Sequence, residues 1–193
     1  MSATLTLAGF PEPGADAQTT FRAVLDAMAR PGTLHHVGTN LSPPAPLDPA
    51  TAAVLLTLAD NETPLWLDEP ISNAREWLAF HCGAVPTERQ AEAEFAVALT
   101  MPALSAFSSG TDEAPESSTT LIVQLAALGS GTRYRLAGPG LRKPILLPAA
   151  GLPANFVEMW QSNHALFPRG IDLVLCAGTT VTALPRSVSI EGA

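Results

Sequence analysis

At 193 residues, with 47% hydrophobic and 15% charged residues, the chain suits one domain of ordinary size (1–193) and is too apolar to be disordered. A formal net charge of −8 argues against a general affinity for nucleic acid, because phosphate binding needs a basic footprint. No apolar run reaches the roughly 18 residues of a membrane span, and Met1 to Phe10 lacks a signal peptide's positive start, so a cytoplasmic location is expected.

Pro11 to Gly14 reads as a loop, after which Asp16 caps a helix with Phe21, Val24, Leu25 and Met28 on one stripe. Arg30-Pro31-Gly32 ends it. Arg22 lies beside that stripe, either as a solvated charge or as a ligand for an anion. Thr33 to Val37 predicts a short strand whose His35 and His36 point to opposite faces and so cannot easily share one metal. Leu41 to Pro49, with four prolines, is a stiff extended connection. Asp48 is a natural N-cap with Pro49 at the first helical position. Between Ala50 and Ala59 only Thr51 and Thr57 are polar, which predicts a helix buried on more than one face. Asp60-Asn61-Glu62-Thr63-Pro64 must end that helix, and Leu65 to Leu67 reads as a strand. This junction brings two carboxylates and an amide to a strand edge. It suits a site, and equally an ordinary polar connection.

Ser72 begins a helix containing Trp77, Leu78 and Phe80, closed by Gly83, with His81 as an acid/base candidate or a capping residue. Thr87 to Gln90 fits a capping box, and Phe95 to Leu99 alternates like a strand. Phe107 to Glu116 is a loop of small polar residues in which Ser109-Gly110-Thr111 could aim N–H groups at a phosphate, although it lacks the GxxxxGK[ST] pattern. Thr119 to Leu128 predicts a strand, joined through Gly129-Ser130-Gly131 to Thr132–Leu136 as an antiparallel hairpin. Arg133 and Arg135 share one face of it. Gly138 to Pro153 reads as irregular, Asn155 caps a helix bearing Phe156, Val157, Trp160 and His164, and Phe167 to Ala177 holds a buried strand with Asp172 at its entry. A Gly178-Thr179-Thr180 turn returns the chain through Val181 to Pro185 and Arg186. Helices and strands interleave without strict βαβ order, which predicts an α/β fold with a mixed β-sheet covered by helices.

The chemical templates exclude more than they admit. Cys82 and Cys176 have no metal-ligand spacing and read as buried thiols, so no metal site is expected. There is no GxSxG, HExxH, GxGxxG or Walker A pattern, and no catalytic residue is singled out. Nine of the ten cations are arginines, so Schiff-base chemistry, pyridoxal phosphate (PLP) catalysis included, rests on Lys143 alone.

Taken in order, Phe21-Arg22-x-x-Leu25-x-x-Met28-x-x-Pro31-Gly32, the LLTLADNETPLWL run from Leu55 to Leu67, Ser109-Gly110-Thr111 with Pro115, Leu121-Ile122-Val123-Gln124, and Phe167-Pro168-x-Gly170-Ile171-Asp172-Leu173 with Pro185-Arg186 resemble the PhnH family of bacterial carbon–phosphorus lyase. The match runs from about Asp16 to Arg186. The resemblance implies a subunit for organic phosphonate catabolism, needed with partner subunits to displace adenine from ATP by an alkylphosphonate and so form a ribose 1-phosphonate 5-triphosphate. It implies a fold similar to the large domain of PLP-dependent transferases without the PLP lysine site, no resident cofactor, and ATP and phosphonate as substrates of the complex. It also implies a homodimer in isolation, other carbon–phosphorus lyase core subunits as partners, and no activity alone. Arg22, Asp60, Asn61, Thr63, Ser109, Gly110, Thr111, Asp172 and Arg186 are the resulting candidates for ligand or partner binding. The bland alternative pairs Arg22 with Asp60 or Asp172 inside the fold. A self-sufficient transferase or lyase and a residual PLP enzyme are the competing expectations.

Overall fold

Alternate residues of the central strands enter two separate apolar cores, which divides the protein into three layers. The computed structural model describes residues 7–193. The central sheet has the order β1-β9-β8-β5-β4-β2-β3, made of His35–His36 (β1), Pro64–Leu67 (β2), Val85–Pro86 (β3), Phe95–Ala98 (β4), Thr120–Gln124 (β5), Asp172–Ala177 (β8) and Thr180–Leu184 (β9). β2, β3, β4, β5 and β8 are mutually parallel, whereas β9 runs antiparallel to both β8 and β1, so the sheet is mixed as expected.

Helices alone cover one of its faces. Leu65, Leu67, Val97, Ile122, Val174 and Cys176 point toward α1 (Pro13–Ala29), α2 (Pro49–Leu58) and α3 (Arg75–Cys82). The alternate residues, Ala96, Ala98, Leu121, Val123, Leu173 and Leu175, face a second core built on Leu136, Leu147, Phe156 and Trp160. That layer is a three-stranded antiparallel sheet, β10-β6-β7, of Ala127–Ala137 (β6), Ile145–Ala150 (β7) and Ser189–Gly192 (β10), together with α4 (Phe156–His164). Strands as well as helices therefore cover the mixed sheet.

Several local expectations change. Gly129-Ser130-Gly131 is no hairpin turn: the chain leaves the central sheet after Gln124, and the glycines lie inside β6 where its register against β7 shifts. Gly131, at φ 103°, tolerates no side chain, since a Cβ would lie 2.7 Å from the Ala149 carbonyl oxygen. The stretch read as irregular contains β7, whose Leu147 and Ala149 are buried while Leu146 faces out. Two-residue alternation was hidden there by flanking prolines and glycines. α1 starts at Pro13, before Asp16, whose carboxylate reaches back to the Glu12 N–H. The helix buries Thr20, Val24 and Ala27, leaving Phe21 and Leu25 49% and 56% exposed. Arg75, not Ser72, opens α3, because a 3₁₀ turn of Glu69–Ala74 precedes it. Gly83 does close α3, in the left-handed conformation. The Thr87 box gives only a 3₁₀ turn, Gln90–Glu92, with Thr87 Oγ1 accepting from the Arg89 N–H.

Candidate functional site

Because β2, β4, β5 and β8 are parallel, their first residues share one edge of the sheet, and the antiparallel β9 ends there too. Asp60, Asn61 and Thr63 precede β2, Ser109 to Thr111 precede β5, Asp172 opens β8, and Arg186 follows β9. Eight of the nine candidates named from the sequence thus line the strand-entry edge. The ninth, Arg22, is exposed on α1 with no ion-pair partner among the described residues; the arginine facing Asp172 is Arg186.

Along that edge the polar groups engage one another. Asp172 and Arg186 retain 14–19% of their side-chain exposure, and the Arg186 Nε donates to both Asp172 oxygens at 3.1 and 3.2 Å. Nη1 donates to the Pro115 carbonyl at 2.7 Å, and Nη2 to both Ser118 Oγ and Asp172 Oδ2 at 2.5 Å. The Arg186 backbone N–H adds a 2.7 Å bond to Asp172 Oδ1. All three guanidinium nitrogens are therefore committed, and the fork fixes the 107–119 loop to the strand entry. Asn163 of α4 does similar work beside it, its amide accepting from the Ile171 N–H at 2.7 Å and donating to the Ile171 carbonyl at 2.9 Å. Neither Ser118 nor Asn163 stood out in the sequence. An amide three residues after Trp160 and seven after Phe156, on the buried stripe of the helix, was the available signal.

Two of the three backbone N–H groups of the Ser109-Gly110-Thr111 turn are spent within the loop itself. The Gly110 N–H donates to Ser108 Oγ and the Thr111 N–H to the Ala114 carbonyl, while Thr111 Oγ1 accepts from the Ala114 N–H. Gly110 is required for closeness, since a Cβ there would lie 2.7 Å from the Pro115 carbonyl oxygen. The Ser109 carbonyl accepts from the Gly170 N–H. In the other loop, Asp60 Oδ1 accepts from the N–H groups of Glu62 and Thr63 and from Thr63 Oγ1 at 2.7–3.1 Å. The Thr63 hydroxyl, then the Glu62 amide, hold the Asp60 carboxyl below its usual range. Asn61 is exposed and packs toward Gly83.

Two open grooves flank the edge. One, of about 510 Å³, runs between α4 and the 3₁₀ turn Leu104–Ala106, lined by Phe107, Ser109, Asn155, Met159 and Leu166 with no charged side chain. The other, of about 410 Å³, is bordered by Glu92, Glu94 and Glu116, which would repel a free phosphonate.

The opposite edge, where open α/β sheets commonly keep their ligands, is bridged beyond β5 and β8. Asp48 heads α2 as expected, but its carboxylate makes no cap bond and instead accepts from the Gly178 N–H at 2.7 Å. Gln124, at the end of β5, accepts from the Asp48 N–H and donates to the Pro46 carbonyl. The proline-rich segment is thereby latched across the strand exits. Cys176 is fully buried, its thiol pushed up to about 12 by desolvation; Cys82 is partly buried and shifted the same way. Among the described residues, no His, Cys, Asp or Glu group is arranged to hold a metal, and no helix is long and apolar enough to cross a membrane.

These features define an α/β protein whose conspicuous polar loops knit the entry edge of a sheet. The chain matches, over residues 8–191, the family described as bacterial phosphonate metabolism protein (PhnH), and it belongs to that family. It is 43% identical over 187 residues, 94% of each chain, to the alpha-D-ribose 1-methylphosphonate 5-triphosphate synthase subunit PhnH of Rhizobium meliloti (strain 1021). It is also 29% identical over 175 residues, 90% of this chain and 85% of the other, to "Putative C-P lyase subunit protein HtxG" of Stutzerimonas stutzeri.

Proposed function

We propose that this chain is a subunit of a synthase that forms alpha-D-ribose 1-methylphosphonate 5-triphosphate from ATP and methylphosphonate in phosphonate catabolism, and that it works only with partner subunits. The observation that carries this is the 43% identity to a synthase subunit across 94% of both chains. The local chemistry agrees with a supporting role: Arg186, Asp172, Asp60 and the N–H groups of Gly110 and Thr111 are engaged within the fold and shape the entry edge that the chain presents to other molecules.

The chain carries no cofactor of its own in this proposal, and ATP and the phosphonate are substrates of the assembly. Lys143, the single lysine, supports this, since it sits exposed in the β6–β7 turn rather than in a pocket. The mixed sheet with a parallel centre is the feature favouring descent from the large domain of PLP-dependent transferases, with the cofactor chemistry lost. The free chain is a homodimer located in the cytoplasm.

Adenine release from ATP and methylphosphonate tests the central point. The purified chain is expected to be inactive alone and to support turnover when its partner subunits are added; turnover by the chain alone would overturn the proposal. Sedimentation at micromolar concentration checks the dimer.

A further inference from the structure

The ten cations divide unevenly. Arg30, Arg75, Arg89, Arg169 and Arg186 each pair with a carboxylate, on Asp26, Glu88, Glu92, Asp112 and Asp172 respectively. Among the described residues Arg22, Arg133, Arg135, Arg142 and Lys143 have no ion-pair partner, and four of these five belong to the β6–β7 hairpin. In a chain of net charge −8 this is a concentrated island of positive charge.

The strand register gives it a face. Tyr134 and Leu136 turn inward and are buried, so Arg133 and Arg135 point out, opposite Pro148 and Leu146 of β7. Leu146 is 51% exposed, and Glu191 of β10, opposite Arg135, is the carboxylate on the neighbouring strand. Arg142 and Lys143 extend the hairpin at its exposed turn.

We infer that the outer face of the β6–β7 hairpin docks an acidic protein surface on another subunit of the synthase, with Leu146 seated at its centre; this rests on the subunit role proposed above. Among the described residues, none of the three best-formed grooves is lined by these cations, which stand on an open sheet face rather than around a small anion. Single-stranded nucleic acid would need aromatic platforms, and the one aromatic of the hairpin, Tyr134, faces inward. Exposed arginines around an apolar residue instead match the composition of protein interfaces, where Arg is enriched and charge complementarity sets encounter rate and register. Pro148 on the outer strand β7 opposes strand addition, so contact is through side chains.

The test is co-purification of the tagged full chain with its co-expressed partner subunits after nuclease treatment, comparing wild type with Arg133→Glu/Arg135→Glu, Arg142→Glu/Lys143→Glu and Leu146→Asp. Arg89→Glu, across the molecule, controls for charge, and circular dichroism checks folding. At least a tenfold weaker association is expected for each hairpin variant, with wild-type binding declining as salt rises and Arg89→Glu binding as wild type. Folded hairpin variants that bind normally overturn the docking face while leaving the subunit role intact. A wild type that binds no partner overturns both. Loss of wild-type binding on nuclease treatment, or salt-sensitive self-association that disappears in the hairpin variants, assigns the face to nucleic acid or to a second copy and overturns the inference.

Discussion

Arg186 and Arg135 are the same residue type, one just past the end of a central-sheet strand and the other on the second sheet, and they have opposite fates. Arg186 is held by Asp172, Ser118 and the Pro115 carbonyl at the entry edge of the central sheet. Arg135 stands on the outer sheet with no ion-pair partner among the described residues and an exposed leucine opposite. A guanidinium with committed donors closes a structure, whereas one without them remains available to another molecule. The conspicuous motifs of this chain are of the first kind, and its less patterned hairpin is of the second.

Replacing the inner arginine should have the largest effect. Arg186→Met strands a largely buried carboxylate and leaves the Pro115 carbonyl and Ser118 hydroxyl without their donor, and urea unfolding should show a loss of about 3 kcal/mol. Asn163→Ala removes both side-chain bonds to the Ile171 backbone in a buried setting and should cost about 2 kcal/mol in the same assay. An equal effect from Arg133→Gln/Arg135→Gln would break the comparison; that pair should change stability by under about 0.5 kcal/mol.

Acid gives a gentler probe. Bonds from Thr63 and Glu62 hold Asp60 below its usual pKa, and the Arg75 hydrogen bond and charge do the same for Glu88. Both therefore favour the folded state when ionised, a contribution fully present above the ordinary carboxylate values of about 4 and lost as pH falls through the lowered ones. Asp60→Asn should flatten the acid limb of the thermal melting profile slightly, by lowering the neutral-pH midpoint a little while leaving the acid end unchanged. Smallest of all, Leu25→Ser on the exposed side of α1 should shift stability by under about 0.5 kcal/mol.

Much of the central sheet was legible because its strands are short apolar runs bounded by turn residues. Leu65 to Leu67, Phe95 to Ala98 and Leu173 to Ala177 could scarcely be anything else. The Asp60 and Ser109 loops were likewise visible as loops, but whether an N–H faces outward or bonds to Ser108 is decided by a few degrees of backbone rotation that composition does not encode. The second sheet was misread because Gly129 to Gly131 resembles a hairpin turn, and only its pairing partner, Ala149 and its neighbours on β7, makes it a bulge. Phe21 and Leu25 fit a helical stripe, yet the side of α1 that meets the sheet is chosen by tertiary packing on Val24 and Ala27. Asp48 and Gln124 meet only in the fold, 76 residues apart in sequence.

The most direct measurement is adenine release by the reconstituted synthase titrated with Arg186→Lys, which keeps the charge and enough of the network to fold. If the entry-edge residues serve the fold, saturating amounts of this variant will support wild-type turnover despite its lower unfolding midpoint. A folded variant whose saturated turnover falls tenfold or more would place Arg186 on the substrate and contradict the account.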